Sequence, residues 1–277
     1  MGIDVADADL IRWGQAVGRT VSSGSCTLQG WTYPLKFEPG DGWYYGSGLD
    51  WAGVVAGRAT GGKRFGEVVA EGLLGPLRMA DTGFYRNKLL EGGKDARYVP
   101  PAERSAETGE LAQATEPYPE EPPLESGGAG LYSSAEDYGR VMQGVLRALA
   151  GEEGGVVSQE TAREMFRPQL DEKQREWCQG IVFTYGSAAE LPQGTPVDYG
   201  IGGLINMVDV EGKRRKGSLM WPGMCNSRWW IDPETGIGAV LIVNVIPYGD
   251  ATVLKLYDEL ERAVYAELVP QWKQSSK

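Results

Sequence analysis

Apolar residues recur along the chain with two different periods. Residues 10–17 form a short amphipathic stretch, followed by a Ser/Gly-rich turn and a second turn cluster at 34–42. Trp51, Val54 and Val55 suit a helix over 50–58, and Phe65, Val68, Val69, Gly72 and Leu73 repeat that spacing until Gly75-Pro76 ends it. Residues 86–126 are polar and rich in Glu and Pro, which predicts a long surface excursion. Ser133 with Glu136 three residues later has the form of a capping box. The helix it opens carries Tyr138, Val141, Met142, Val145, Leu146 and Leu149 on one face, and a second short helix is predicted over 158–166. Near residue 177 the texture turns strand-like, at 181–185, 217–221, 227–231 and 238–245, with 232–236 as a tight hairpin connection. Val253, Leu256, Tyr257, Leu260, Val264 and Leu268 make a closing helical stripe. This order implies an α+β fold: a mainly helical part at 1–175, then an antiparallel sheet and C-terminal helix at 176–277, in one integrated fold.

Composition narrows the chemistry. The chain has no histidine, so neither a Ser-His-Asp relay nor a His-ligated metal is available. Proton transfer near neutral pH falls to Tyr, Lys, a carboxylate or Cys. With 27 Lys and Arg against 38 Asp and Glu, the net charge of −11 argues against a nucleic-acid or anionic-membrane binder. Cys26, Cys178 and Cys225 include no Cys-x-x-Cys pair. They read as reduced thiols of a cytoplasmic protein, without a metal cluster or disulfide framework. Residues 1–9 lack the basic and apolar regions of a signal peptide, Ala6 does not complete a myristoylation signal, and no apolar run is long enough to span a membrane. Gly200-Ile201-Gly202-Gly203 has neither the spacing nor the following helix of a phosphate loop, and no cofactor is expected. The basic run at 209–216 reads as a solvated hairpin tip, with a phosphopantetheine or carrier-protein contact as the other reading. Asp50 and Asp81 read as caps and turn residues rather than acid–base groups.

Two clusters remain. Residues 42–51 combine Trp43, Tyr44, Tyr45 and Trp51 with small residues, and residues 218–226 bring a strand end to Pro222-Gly223. Each alone is either a packed turn or a cleft-facing segment. For the second, the cleft reading is a strand edge whose N–H groups donate to an oxyanion.

Taken in order, the clusters and the segments between them resemble the serine β-lactamase and penicillin-binding-protein superfamily. Trp43-Tyr44-Tyr45-Gly46-Ser47 resembles its Tyr-x-Asn/Ser segment. Residues 76–84 (PLRMADTGF) and 127–138 (GGAGLYSSAEDY) are similar to motifs of the class C and family VIII esterase branch. Residues 221–226, 229–233 and 244–250 resemble the fungal lovastatin-acyltransferase-like transesterases. The resemblance implies a β-lactamase/transpeptidase-like fold, with an antiparallel sheet flanked by helices and a helical subdomain. It implies that Tyr45 is catalytic, that Ser47, Trp221, Gly223 and Met224 bind substrate, and that the Met224 N–H is an oxyanion donor. It implies transfer of an acyl group from a thioester or ester to an alcohol in fungal-type secondary metabolism, or hydrolysis of such an ester. The partners would be a small-molecule acyl donor and an alcohol acceptor, with an acyl carrier protein as a further candidate donor.

One departure is plain: no serine in the 277 residues has Lys three residues later, so the family's Ser-x-x-Lys nucleophile is absent. The chain is therefore expected to lack the N-terminal strands and nucleophile helix, leaving a sheet edge and an apolar groove open. Two alternatives stand beside the acyltransferase reading. One is a non-catalytic remnant that binds a small molecule or a protein partner through the open cleft. The other uses Ser47, or a serine among Ser22, Ser23 and Ser25, as replacement nucleophile with Tyr45 as base.

Overall fold

A computed structural model describes residues 7–275, so Met1–Ala6, read above for leader and acylation signals, lies outside the described residues. The chain divides into two compact units, residues 1–99 with 115–137 and residues 100–114 with 138–277.

The first unit is helical. α1 (Ala8–Ala16) is capped by Asp7, whose carboxylate accepts from the N–H groups of Asp9 and Leu10. A 3₁₀ turn at Ser23–Ser25 leads into α2 (Leu28–Trp31), and α3 (Gly48–Ala59) follows the first aromatic cluster. α4 (Phe65–Val69) continues as a wide turn over Ala70–Leu74, and α5 (Arg86–Leu90) begins the polar excursion. α3 lies close on the segment before α4: a Cβ on Gly57 would stand 2.4 Å from the Lys63 carbonyl oxygen. The Asp137 carboxylate accepts from Asp81 N–H at 2.8 Å and Thr82 Oγ1 at 2.9 Å, anchoring the 80–83 turn.

The second unit is built on a five-stranded antiparallel meander, β3 (Val197–Gly200), β4 (Gly203–Asn206), β5 (Leu219–Pro222), β6 (Arg228–Asp232) and β7 (Ile237–Leu241), hydrogen-bonded in that order. Among the described residues β3 and β7 are its edges. Side chains alternate across β6. Trp229 and Ile231 pack with Met142 and Val145 of α6 (Ala135–Ala150), while Trp230 meets Tyr257 of α9 (Ala251–Ala263) edge to face at 5.6 Å. α7 (Gln159–Met165) and α8 (Glu172–Thr184) precede the sheet, and α10 (Val269–Ser275) ends the described chain. The predicted excursion is not free of structure. β1 (Ala102–Arg104) pairs antiparallel with β2 (Leu111–Gln113) and parallel with β8 (Val245–Ile246), and Arg104 reaches Asp250 at 2.5 Å.

Four local expectations are corrected, and residues 200–203 gain a place. Residues 181–185 are not a strand but the end of α8 and its cap. Asp171 and Gln174 form a reciprocal capping box ten residues upstream, and the helix it starts buries Cys178 and Val182 one turn apart. The N-cap of α6 is Ser134, which accepts from Asp137 N–H at 3.2 Å. Ser133 instead shares a 2.8 Å hydrogen bond with Thr82. Residues 200–203 are the β3–β4 hairpin turn, with Gly202 at φ +99°. On α9 the buried stripe is Val253, Tyr257 and Glu261, whereas Leu256 and Leu260 are exposed. Finally, the basic run is no solvated tip, because Lys213 and Arg214 are fully buried.

That burial is offset by opposite charge. Arg214 makes a two-pronged pair with Glu261, Nε and Nη2 each donating at 2.8 Å, and lies over the rings of Trp230 and Tyr257. Lys213 donates to the Glu190 carbonyl at 2.6 Å and pairs with Asp258 and Glu261, both at 3.1 Å. Arg228, also fully buried, donates to Glu190 at 2.6 Å. Glu261 resists ionisation through its burial, but Arg214 and Lys213 outweigh that and hold its carboxyl below the usual range. Among the described residues, no helix is long and apolar enough to cross a membrane.

Candidate active site

In the first unit, Tyr45 sits on the turn that enters α3. Ser47 takes the N-cap position but does not cap with its side chain. Ser47 is buried, and its hydroxyl donates to the Trp31 carbonyl at 3.0 Å. The same oxygen accepts from the Trp51 indole N–H at 3.1 Å. One carbonyl at the end of α2 thus pins both sides of the turn that carries Tyr45. Tyr45 itself is 43% exposed. Its phenol is pushed above the ordinary value, first by the protein mass packed around it and second by the Asp50 carboxylate. The turn before it is held as well: the Lys36 ammonium lies 5.0 Å from the Tyr44 ring centroid and pairs with Asp7.

Ser22, Ser23 and Ser25 belong to the 3₁₀ turn. The Ser25 hydroxyl donates to the Ser22 carbonyl at 2.8 Å and shares a 2.9 Å hydrogen bond with Thr27. Cys26 follows at φ +52°, buried, with its thiol pushed up to about 11 by burial and by Asp50. Asp81 pairs with Lys94 at 2.9 Å and Arg97 at 2.7 Å, which hold its carboxyl below the usual range.

Asp50 joins α3 to a segment far along the chain. It is buried in the first turn of α3 and reaches residues 126–130, accepting from the Ser126 hydroxyl and from the Gly128 N–H at 3.2 Å. The glycines there answer a steric need, since a Cβ on Gly127 would stand 2.4 Å from the Leu49 carbonyl oxygen. The visible signal was the Gly127-Gly128 pair. Its partner across the turn was not readable from spacing.

In the second unit, Trp221 lies on β5 opposite Trp229 of β6, and its ring meets Tyr199 edge to face at 5.5 Å. The chain then turns back over 223–227. The Gly223 N–H donates to the Ser227 carbonyl at 2.6 Å, and Asn226 N–H to the Gly223 carbonyl at 3.0 Å. The Gly223 N–H is therefore committed to the turn. Met224, at the tip, is 45% exposed, and none of the described residues accepts from its N–H.

Asn226, which the sequence did not single out, fixes this turn. It adopts a left-handed conformation at φ +66° and is fully buried. Its amide donates to the carbonyls of Val245 at 2.7 Å and Pro247 at 2.9 Å, and accepts from the N–H groups of Gly249 at 2.8 Å and Asp250 at 3.2 Å. Among the described residues, no group of three or more Cys, Asp or Glu side chains could hold a metal ion.

The structure places Tyr45 and Ser47 on one turn of the first unit, and Trp221, Gly223 and Met224 on one hairpin of the second.

Comparison with known proteins adds the family. Residues 31–261 match the Beta-lactamase family. The monacolin J acid methylbutanoyltransferase of Aspergillus terreus is 29% identical over 245 residues, covering 84% of this chain and 56% of that protein. The lovastatin esterase of Penicillium rubens is 32% identical over 226 residues, covering 76% of this chain and 53% of that protein. Unliganded simvastatin synthase (LovD) from Aspergillus terreus, as its selenomethionyl derivative, superposes with a TM-score of 0.82 at 27% identity, over 93% of this chain and 64% of that one. The chain thus spans just over half the length of these two curated relatives.

Proposed function

This chain belongs to the beta-lactamase family, and on that footing we propose that it forms the larger part of an acyltransferase or esterase. The reaction is transfer of an acyl group from a thioester or ester to an alcohol, with water as the competing acceptor. The observation that carries this reading is the half-exposed Tyr45 phenol on a turn pinned by Trp31, Ser47 and Trp51. A phenol so fixed can hand a proton to a leaving group or receive one from an incoming alcohol. Ser47 serves the substrate through the shape of that turn. Trp221 offers an apolar wall to the substrate, Gly223 sets the hairpin, and the Met224 N–H is the oxyanion donor. The donor is a small-molecule thioester or the thioester of an acyl carrier protein, and the free cysteines suit a reducing compartment such as the cytoplasm.

In the family the acylated serine lies in a Ser-x-x-Lys motif, and these 277 residues contain no Ser-x-x-Lys. The test is mass spectrometry after incubation with a fluorophosphonate or an acyl thioester, on this chain and on one extended at its N-terminus. An adduct on the extended chain only is the expected result, and its absence from both overturns the reading. Running free and carrier-bound thioesters in parallel separates the two donor classes. The missing Ser-x-x-Lys also favours a second reading, a non-catalytic chain that binds acyl ligands. A melting temperature unmoved by such ligands would sink that one.

A further inference from the structure

The turn over 223–227 is closed by its own hydrogen bonds and then seated on residues 243–250. Within the turn, Gly223 N–H donates to the Ser227 carbonyl and Asn226 N–H to the Gly223 carbonyl. Toward the seat, the Cys225 carbonyl accepts from Val245 N–H at 3.1 Å. The Ser227 hydroxyl donates to the Val243 carbonyl at 2.7 Å and accepts from Val243 N–H at 3.1 Å. Asn226 supplies the deepest contact. An amide side chain has two donor and two acceptor positions, and here all four meet backbone groups, those of Val245, Pro247, Gly249 and Asp250. The seat is braced in turn by β1. Ala102 N–H donates to the Asn244 carbonyl at 2.8 Å, and Arg104 pairs with Asp250. Amid these anchored residues stands Met224, whose N–H meets no acceptor among the described residues. The left-handed backbone at 226 would suit glycine as well as asparagine. Glycine could not supply the four bonds, so what this position uses is the side-chain amide and not the conformation alone.

We propose that Asn226 is a positioning residue of the candidate site: its side-chain amide holds the Met224 N–H in one fixed direction, ready for the oxygen that turns negative when an ester or thioester carbonyl is attacked. This rests on the reading of the Met224 N–H as the oxyanion donor. Such a donor is effective when it is already oriented, so that nothing has to reorganise as the charge develops. Asn226 acts only through the peptide two residues before it and does not touch the substrate. Two substitutions separate the tether from the backbone shape. Asn226→Gly keeps the left-handed conformation and removes all four bonds. Asn226→Asp keeps the bonds accepted from Gly249 and Asp250 and loses those donated to Val245 and Pro247.

The experiment is NMR relaxation of the 277-residue chain labelled at the methionine nitrogens, with Met224→Leu to assign the signal and Met220 on β5 as internal reference. The parent is expected to show a rigid Met224 amide, with an order parameter of about 0.85. N226G is expected to bring it below about 0.6 and N226D to fall between, while Met220 holds its value. A parent whose Met224 amide is already mobile overturns the proposal, as does a folded N226G with unchanged order. Should N226G not fold, unchanged order in N226D overturns it in the same way. Equal loosening at Met220 also overturns it, because the amide would then support the sheet and not the donor. None of these measurements needs turnover. On a chain extended at its N-terminus that takes up an acyl group, N226G is expected to lower kcat about ten- to a hundredfold with KM little changed. A chain that never takes up an acyl group but shows the tethered Met224 amide defeats the acyl-transfer reading alone. An acylating chain whose kcat or Met224 order ignores N226G defeats this proposal alone.

Discussion

Asp50 and Glu261 are both buried carboxylates, yet their protons behave in opposite ways. Glu261 faces Arg214 and Lys213, and its carboxyl is held below the usual range. Asp50 faces a hydroxyl and a peptide N–H, and its carboxyl is pushed above it. The same chemical group is stabilised as an anion in the second unit and merely tolerated as one in the first. Burial alone therefore does not set the direction in which a carboxyl is shifted. The partners do, because full ion pairs outweigh the effect of burial and neutral donors recover only part of it.

The comparison breaks most visibly if Glu261 is removed. Glu261→Ala leaves Arg214 buried without its carboxylate and Lys213 with Asp258 alone, and a loss of about 3–5 kcal/mol is expected in urea unfolding. Asn226→Ala strips the β5–β6 turn of a buried amide with four hydrogen bonds, at an expected cost of about 2–3 kcal/mol. Gly127→Ala tests the Asp50 side, since the new Cβ must displace the loop from the Leu49 carbonyl, costing about 1–3 kcal/mol.

Acid titration separates the two carboxylates by sign. The stability contributed by Glu261 is complete above its ordinary value of 4.5 and is lost as pH falls through the lower folded-state value. Asp50 works against it: with its folded-state value raised above 3.8, its cost at neutral pH is relieved as pH falls. Urea unfolding across the acid range should therefore show a flatter loss in Glu261→Gln and a steeper one in D50N. Gly223→Ala should do least. Its φ is not in the left-handed region, the nearest atom to an added Cβ is the Ser227 oxygen at 3.4 Å, and a change within about 0.5 kcal/mol is expected.

Much of this was legible in the sequence, and the failures share a cause. α3, the face of α6 and the 232–236 hairpin were readable because the pattern that specifies them is local. Residues 181–185 misled because their β-branched and aromatic content favours a strand, while the helix is dictated by the Asp171–Gln174 box ten residues earlier. The basic run misled because a charge looks solvated until its partner is known, and Glu261 lies 47 residues from Arg214. The Asp50 contact was hidden for the same reason, its partner Ser126 being 76 residues away. The turn that carries Tyr45 could be placed from its local pattern. The Ser126 and Gly128 contacts of Asp50 could not, because they join segments that meet only in the fold.

The Asn226 turn has a consequence on a slower clock. Asparagine followed by serine ages in loose loops: the backbone nitrogen of the serine attacks the side-chain amide carbon, ammonia leaves to give a succinimide, and water opens that ring to an isoaspartyl or aspartyl linkage. At Asn226 both ends of the amide are held by four backbone groups, so the side chain cannot swing onto the nitrogen of Ser227. The turn that presents Met224 is thereby protected against chemical ageing for as long as the chain stays folded, and an isoaspartyl mark at position 226 would record that a molecule had once been open.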